Sequence, residues 1–239
     1  IAVLTALIKE PRRIIASNIN GDEGDPVPLD EVKRFFMQHI DFHFPHHAAA
    51  SFSNLALVGI NSWVSVYFIR IHGWSLSEAG LNIGMSLILG GLMGLVGGGF
   101  LSDRMSTLFA GGKAIFCLIC ALMAVPFSIL FARTDNAFYA LVFFGLSYGF
   151  MVAPIPSAAA ILQEVTPNRM RGTLSAFYLL VISIIGLALG ATIVALINDN
   201  FFDGDSGIRE SLLIAIPAFN LVATFFYFML IKPYRDRCS

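Results

Sequence analysis

An acid and a base lie side by side where a long apolar run ends, in residues 99–104, which read GFLSDR. A carboxylate at a helix end can accept hydrogen bonds from the N-terminus of a neighbouring helix and pair with a basic side chain across the contact. Asp103 and Arg104 are therefore candidates for one side of a latch, defined here as an ionic contact that holds one conformation and releases another when it breaks.

A second charged loop lies two apolar runs later, in residues 164–172, which read EVTPNRMRG. The charges of either loop alone are also explained by basic residues that anchor the protein at the membrane surface. Two such loops on one side of the protein, two helices apart, favour a shared contact between them. The predicted latch contains Gly99, Asp103, Arg104, Lys113, Glu164, Arg169, Arg171 and Gly172.

Four histidines precede the first apolar run, and histidines spaced i, i+4 can bind a metal from one helix face. They are His39, His43, His46 and His47. We expect Pro45 to interrupt the helix here, and Asp41 is the one nearby oxygen ligand, so histidines at a membrane interface are the favoured interpretation. Cys117 and Cys120 form a CxxC pair inside an apolar run with no neighbouring charge to activate a thiol, which indicates packing. The sequence therefore predicts neither a metal nor a cofactor.

The residue types also argue against catalysis. The sequence has no Ser/His/Asp grouping, no HExxH motif and no glycine loop that could hold a phosphate. An integral membrane enzyme would need acids, histidines or metal ligands that converge at one depth. A net charge of -1 argues against nucleic acid as a partner. The sequence predicts a protein that is not an enzyme.

Six apolar runs must position these groups. The chain is 56% hydrophobic and 13% charged, whereas a soluble domain is about a quarter charged. A helix that crosses a bilayer needs about 20 apolar residues, and none of the runs alternates with the period of a β-strand. Six runs qualify, at residues 48–69, 79–101, 114–132, 137–162, 173–197 and 212–231.

The predicted organisation follows from these runs. Residues 1–13 are the end of a preceding transmembrane helix with its cytoplasmic basic flank, and residues 14–47 form a central cytoplasmic loop. That loop contains an amphipathic helix at 29–40, capped by Asp30. A six-helix transmembrane bundle occupies residues 48–232, and 233–239 form a cytoplasmic tail.

Basic residues predict the orientation. If the six runs alternate in direction, twelve of the fifteen Lys and Arg residues fall on one face. Because basic residues concentrate in cytoplasmic loops, this face and both termini are expected in the cytoplasm. The prediction is an integral multi-pass protein of the plasma membrane, which in a bacterium is the inner membrane.

The two charged loops resemble the paired cytoplasmic motifs of the major facilitator superfamily. The resemblance covers nearly the whole chain and implies an all-α membrane protein, the C-terminal six-helix half of a twelve-helix transporter. Its partner would be a missing N-terminal half. Segments 10–13 (EPRR), 63–70 (WVSVYFIR), 72–75 (HGWS) and 78–80 (EAG) also resemble spinster-like members. The chain departs from similar proteins at Lys113, which lies far behind Asp103, and at Ser65 and Ala191, where proline is common.

The resemblance also implies that the first and fourth runs face a central substrate cavity. Asn54, Asn61 and Ser65 share one face of the first run, although interhelical hydrogen bonding is the alternative role for the asparagines. The expected cavity residues are Asn54, Asn61, Trp63, Ser65, Tyr67, Ser147, Tyr148, Ser175 and Tyr178.

Helix-breaking and small residues point to places where helices bend or approach closely. Pro154 and Pro156 break the fourth run and are candidates for a hinge or for a static kink. A stripe of glycines on the second run predicts close helix packing, which would also let that helix slide. The stripe contains Gly80, Gly84, Gly91, Gly94 and Gly98.

Two functional hypotheses follow. The first is a secondary active transporter that moves a small organic or lipid-like amphipathic solute by alternating access. The second is a non-transport membrane protein, either receptor-like or an enzyme; a facilitative uniporter is a further alternative. The paired loops favour the transporter. Because the runs hold almost no ionisable residue, a carboxylate that couples transport to protons is expected in the missing half.

Overall fold

The computed structural model describes residues 27–202 and 207–238, and in these two ranges the chain is helical without strands. Residues 1–26, which include the predicted end of a preceding helix, lie outside the described residues. Two short segments interrupt the α-helices, a π-helical turn at Met93–Gly97 and a 3₁₀ turn at Asn168–Met170. The α-helices are α1 (Leu29–Gln38), α2 (Ile40–His72), α3 (Leu76–Leu92), α4 (Gly98–Leu108), α5 (Gly112–Arg133), α6 (Ala137–Val152), α7 (Pro154–Val165), α8 (Arg171–Phe201) and α9 (Gly207–Cys238).

Six helical segments are long and apolar enough to cross a membrane, which confirms the predicted fold class. We call them spans 1 to 6. They are Ile40–His72, Leu76–Leu108, Gly112–Arg133, Ala137–Val165, Asn168–Phe201 and Gly207–Arg237. Four of them exceed 30 residues, because polar residues at their ends continue the helix beyond the apolar run that the sequence reveals.

The first two described helices correct two expectations, one at Pro45 and one at Asp30. Span 1 begins at Ile40 and continues through Pro45, so the prediction that this proline interrupts it is wrong. Proline lacks an N–H and cannot bond the carbonyl four residues back, which here is that of Asp41, so the helix continues with one hydrogen bond missing in its second turn. The preceding amphipathic helix has Pro28 at its N-cap, and Asp30 lies inside its first turn, so the prediction that Asp30 caps it is wrong.

The packing of the spans repeats. Span 2 packs on span 4 as span 5 packs on span 1, and span 3 packs on span 4 as span 6 packs on span 1. Spans 3 and 6 then pack against each other. Spans 1, 5 and 6 therefore have the same mutual arrangement as spans 4, 2 and 3, which is the kind of internal repeat found in many transporters.

Small residues bring span 2 close to span 4. A Cβ atom added to Gly94 would lie 2.3 Å from the carbonyl oxygen of Gly149, and one added to Gly98 would lie 2.8 Å from the Cβ of Ala153. Packing is thus confirmed for these two glycines of the predicted stripe. Gly80 and Gly84 have open surroundings among the described residues, so packing at these two positions stays a prediction.

Candidate functional site

A charged contact ties together three spans at the predicted cytoplasmic end. The Lys113 ammonium pairs with one oxygen of the Glu164 carboxylate. The Tyr234 hydroxyl donates to the other oxygen at 2.5 Å. Two predicted latch residues therefore meet, but their contact links span 3 to the end of span 4 and to span 6, not the two charged loops to each other.

The predicted contact between Asp103 and Arg171 is not formed among the described residues. Asp103 is exposed, and its backbone carbonyl accepts a hydrogen bond from Ser106 at 2.7 Å. The Arg171 guanidinium instead donates to the carbonyl oxygen of Thr166 at 3.1 Å, within its own loop. Arg104, Arg169 and Gly172 are exposed as well, and Gly99 has open surroundings.

A serine that the sequence analysis passed over makes the contact between the GFLSDR segment and span 4. Ser102 is buried, and its Oγ accepts a hydrogen bond from the Ser157 Oγ at 2.7 Å. The sequence contains a clue to this contact, because the residue beside Asp103 is small. Only a small side chain fits where two helices lie close together. The motif therefore has a buried half, which packs, and an exposed half, which carries the charges.

Span 4 is broken where its prolines predicted a break. Helix α6 ends at Val152, and α7 begins at Pro154, with Ala153 between them. Proline at the first position of a helix loses no helical hydrogen bond, because that position has no acceptor within the helix. Pro156 lies in the first turn of the same helix and is exposed. The role of the break as a hinge stays a prediction.

Three of the expected cavity residues are buried in helix contacts instead. Tyr67 is fully buried, and its hydroxyl donates to the carbonyl oxygen of Phe131 at 3.0 Å. Ser147 is also fully buried and donates to Ala124 at 3.3 Å. Tyr178 is buried beside two histidines. The assignment of these three side chains to a cavity is wrong, because each packs between spans.

Two more of the expected cavity residues join span 1 to span 5. The Asn54 amide donates to the carbonyl oxygen of Ile182 at 2.7 Å, and the Trp63 indole donates to Ala191 at 3.0 Å. The alternative of interhelical hydrogen bonding is therefore confirmed for Asn54. Four expected cavity residues stay exposed or partly exposed, namely Asn61, Ser65, Tyr148 and Ser175.

Three histidines lie in the first turns of span 1 and are buried against neighbouring helices, and their place at the membrane interface stays a prediction. His43 and His46 are 0% exposed and His47 is 7% exposed. A His46 nitrogen, Nε2, lies 2.8 Å from the carbonyl oxygen of Ala158, and His47 Nδ1 lies 2.8 Å from that of His43. Because a carbonyl can only accept, both nitrogens carry hydrogen. Within the described ranges, no three His, Cys, Asp or Glu side chains converge as metal ligands would.

Two apolar grooves occupy equivalent places in the packing repeat. The first, of about 700 Å³, lies among spans 2, 3 and 4; the second, of about 570 Å³, lies among spans 1, 5 and 6. We call them groove A and groove B. The lining of groove A includes Met85 and Leu89, and that of groove B includes His43, His47 and Phe177. The two grooves thus differ in that only the second has histidines in its wall.

Ion pairs close the bundle at both ends. Arg237, near the end of span 6, donates to both carboxylate oxygens of Asp41 at 2.7 and 2.8 Å, and its guanidinium lies 5.7 Å from the centre of the Phe42 ring. At the opposite end, Arg209 of span 6 pairs with Asp135 at 2.8 Å. Neither pair was predicted, since each joins segments that are far apart in the sequence.

Known proteins share both the sequence pattern and the architecture. The profile of the Major Facilitator Superfamily matches residues 1–191. An MFS-type efflux pump of Mycolicibacterium smegmatis is 27% identical over 191 residues, which is 79% of this chain and 44% of the pump. The chain therefore spans less than half the length of that relative.

Two crystal structures of a bacterial homologue of the human lysosomal transporter Spinster have the same fold. The inward-facing, unoccupied form matches all of this chain and 57% of its own, with a TM-score of 0.76 and 22% identity. The inward-facing, occupied form matches 83% of this chain and 49% of its own, with a TM-score of 0.62 and 17% identity. At these identities the likeness establishes the fold.

Six membrane-length helices, the packing repeat and the broken fourth span agree with the profile match, which covers most of the chain. The chain belongs to the major facilitator superfamily.

Proposed function

We propose that this chain is the C-terminal half of a secondary active transporter that moves a small organic or amphipathic solute by alternating access. The observation that carries the proposal is the contact of span 2 with span 4 at the break and beyond it. Gly98 packs against Ala153 at the break, and Ser102 bonds Ser157 beyond it. The cytoplasmic segment of span 2 and α7 are thereby coupled at a point where span 4 can bend.

The charged residues beside this contact supply a means of control. Asp103 and Arg104 follow Ser102 directly and are exposed. In a full-length transporter they are available to a partner in the other half of the bundle. We expect their ionic contact to hold one conformation and its loss to favour the other, because a charge pair at a helix end is stabilised by both Coulomb attraction and hydrogen bonds.

The substrate path we propose uses the polar residues that the helix contacts leave accessible. These are Asn61 and Ser65 on span 1, Tyr148 on span 4 and Ser175 on span 5. All are neutral, which suits an amphipathic or weakly polar solute. Protons are our candidate coupling ion, and the group that binds them would belong to the other half. We place the protein in the bacterial inner membrane with both termini in the cytoplasm.

Transport by the full-length protein in proteoliposomes tests the proposal. The probes are a fluorescent lysophospholipid and ethidium, each measured with and without an imposed pH gradient. Accumulation against a concentration gradient is expected for a secondary active transporter, equilibration alone would indicate a uniporter, and no flux of either probe would contradict transport of this solute class. Asp103→Asn should slow flux at least tenfold, whereas Asp199→Asn, an exposed acid at the other end, should leave it unchanged.

A further inference from the structure

We propose that His46 is a proton-binding site near the predicted cytoplasmic end of span 1, and that a proton bound there keeps α7 away from span 1. The inference rests on the proposed function, because it takes α7 as the part of span 4 that moves. The site is additional to the coupling group that we place in the other half of the protein.

His46 contacts α7, whereas the two histidines beside it line groove B. The Nε2 of His46 donates to the carbonyl oxygen of Ala158 at 2.8 Å, and Ala158 belongs to α7, beyond the break at Ala153. His43 and His47 lie in the wall of groove B, and the Nδ1 of His47 bonds a carbonyl within span 1. A movement of α7 therefore breaks the hydrogen bond of His46 and leaves that of His47 intact.

The described conformation accommodates only the neutral form of the His46 ring. The side chain is 0% exposed, and its Nδ1 has no hydrogen-bond partner among the described residues. In the neutral ring the Ala158 carbonyl accepts the Nε2 hydrogen and Nδ1 carries none. A protonated ring would add a second N–H without an acceptor and a positive charge without contact to water, and both cost free energy.

The groups around His46 supply no counter-ion for a protonated ring. Imidazole, thiol and phenol groups carry no negative charge at pH 7. The acids of span 1 and α7 are paired with bases elsewhere, Asp41 with Arg237 and Glu164 with Lys113. The titratable side chains of the described part of the chain that surround this region are His43 and His47 on span 1, Cys117 on span 3, Tyr178 on span 5 and Tyr227 on span 6.

Release of α7 makes the site accessible to protons. When α7 moves away at the break, the His46 ring loses its carbonyl partner and gains contact with water. A histidine in water takes up a proton near pH 6.5. The bound proton then opposes the return of α7, because closing the contact would bury the charge. Lowering the pH through about 6.5 therefore favours the released conformation, and raising it favours the conformation described here.

The separation of α7 from span 1 in the full-length protein, measured in lipid nanodiscs, tests the site. Spin labels are attached through Gln38→Cys, directly before span 1, and Gln163→Cys in α7, since both positions are exposed. Pulsed electron resonance then gives the populations with near and far labels. We expect the far-to-near ratio to rise about thirtyfold from pH 8 to pH 5, as one proton that binds only the released form requires. A constant ratio would overturn the proposal.

Variants assign the pH dependence to His46. His46→Gln keeps a side-chain N–H for the Ala158 carbonyl but cannot take up a proton, so the ratio should no longer change with pH. His47→Gln is the matched control and should retain the change. A pH dependence that survives in His46→Gln would overturn the proposal. If His46→Gln does not fold, His43→Gln and His47→Gln decide: the proposal stands if both retain the dependence and fails if either loses it.

This test is independent of transport, because its readout is a distance and not a flux. A ratio that ignores pH in a protein that moves the probes would remove the proton site and leave the proposed function intact. The proposed function fails instead on the absence of flux, whatever the labels report.

Discussion

A His46 nitrogen, Nε2, donates a hydrogen bond to the carbonyl oxygen of Ala158 across 2.8 Å, joining span 1 to α7 beyond the break in span 4. His46 is fully buried. The bond therefore connects α7, the part of span 4 that we expect to move, to span 1. Span 1 in turn packs against spans 5 and 6. A displacement of α7 would pull directly on span 1 through this contact.

Replacing His46 should destabilise the bundle, because His46→Phe leaves the Ala158 carbonyl without this donor. A buried acceptor that loses its partner costs about 1–3 kcal/mol. Thermal unfolding of the full-length protein measures the change. His39→Phe is the control, since the His39 ring bonds the Phe35 carbonyl within its own turn. Equal destabilisation by both variants would contradict a specific role for the His46 bond.

Two glycines of span 2 should respond oppositely to alanine. At Gly94 a Cβ would approach a backbone oxygen of Gly149 at 2.3 Å, so Gly94→Ala must separate two spans and should cost about 1–3 kcal/mol. At Gly84 nothing lies within 4 Å, and alanine should be neutral or stabilising by up to about 1 kcal/mol. Unfolding midpoints of the two variants check the contrast, which fails if both behave alike.

Substitutions of Gly186 and Asn54, which contact each other, should have non-additive effects on the free energy of unfolding. A Cβ at Gly186 would lie 2.1 Å from the Asn54 amide nitrogen, so Gly186→Ala displaces that amide from Ile182. Asn54→Ala alone loses the hydrogen bond. Once the amide is gone, the alanine at 186 has space, and the double variant should be less destabilised than the sum of the singles. Additive unfolding energies would show that the two sites do not interact.

Substitutions of Asn61 and Tyr67 should affect different properties, substrate binding for Asn61 and stability for Tyr67. Asn61 is exposed, so Asn61→Ala should raise the KM of the transported probe several-fold while the unfolding temperature stays unchanged. Tyr67 is buried, and Tyr67→Phe should lower stability by at least about 0.5–1.5 kcal/mol, with KM unchanged, because it removes the hydroxyl that bonds the Phe131 and Ala132 carbonyls and contacts His72. If instead Tyr67→Phe raised KM and Asn61→Ala lowered only stability, Tyr67 would line the substrate path and Asn61 would not.

Hydropathy alone is enough to predict six spans, since each needs only length and composition. It could not separate Asn61 from Tyr67, because a span that is apolar on all sides carries no periodic signal for which face meets a neighbour. The pairing of Lys113 with Glu164 was equally hidden from the sequence. Both residues were named as latch candidates, but their meeting depends on how spans 3 and 4 close in space.

The prolines of span 4 also set how stiff that span is. A continuous helix would use the amides at 154 and 156 to bond the carbonyls of Phe150 and Val152, and proline has no such amide. Those two oxygens have no helical donor to lose when the axis tilts further. Bending at Ala153 would therefore break few backbone bonds, and we expect the free energy of bending span 4 to be lowest at this point.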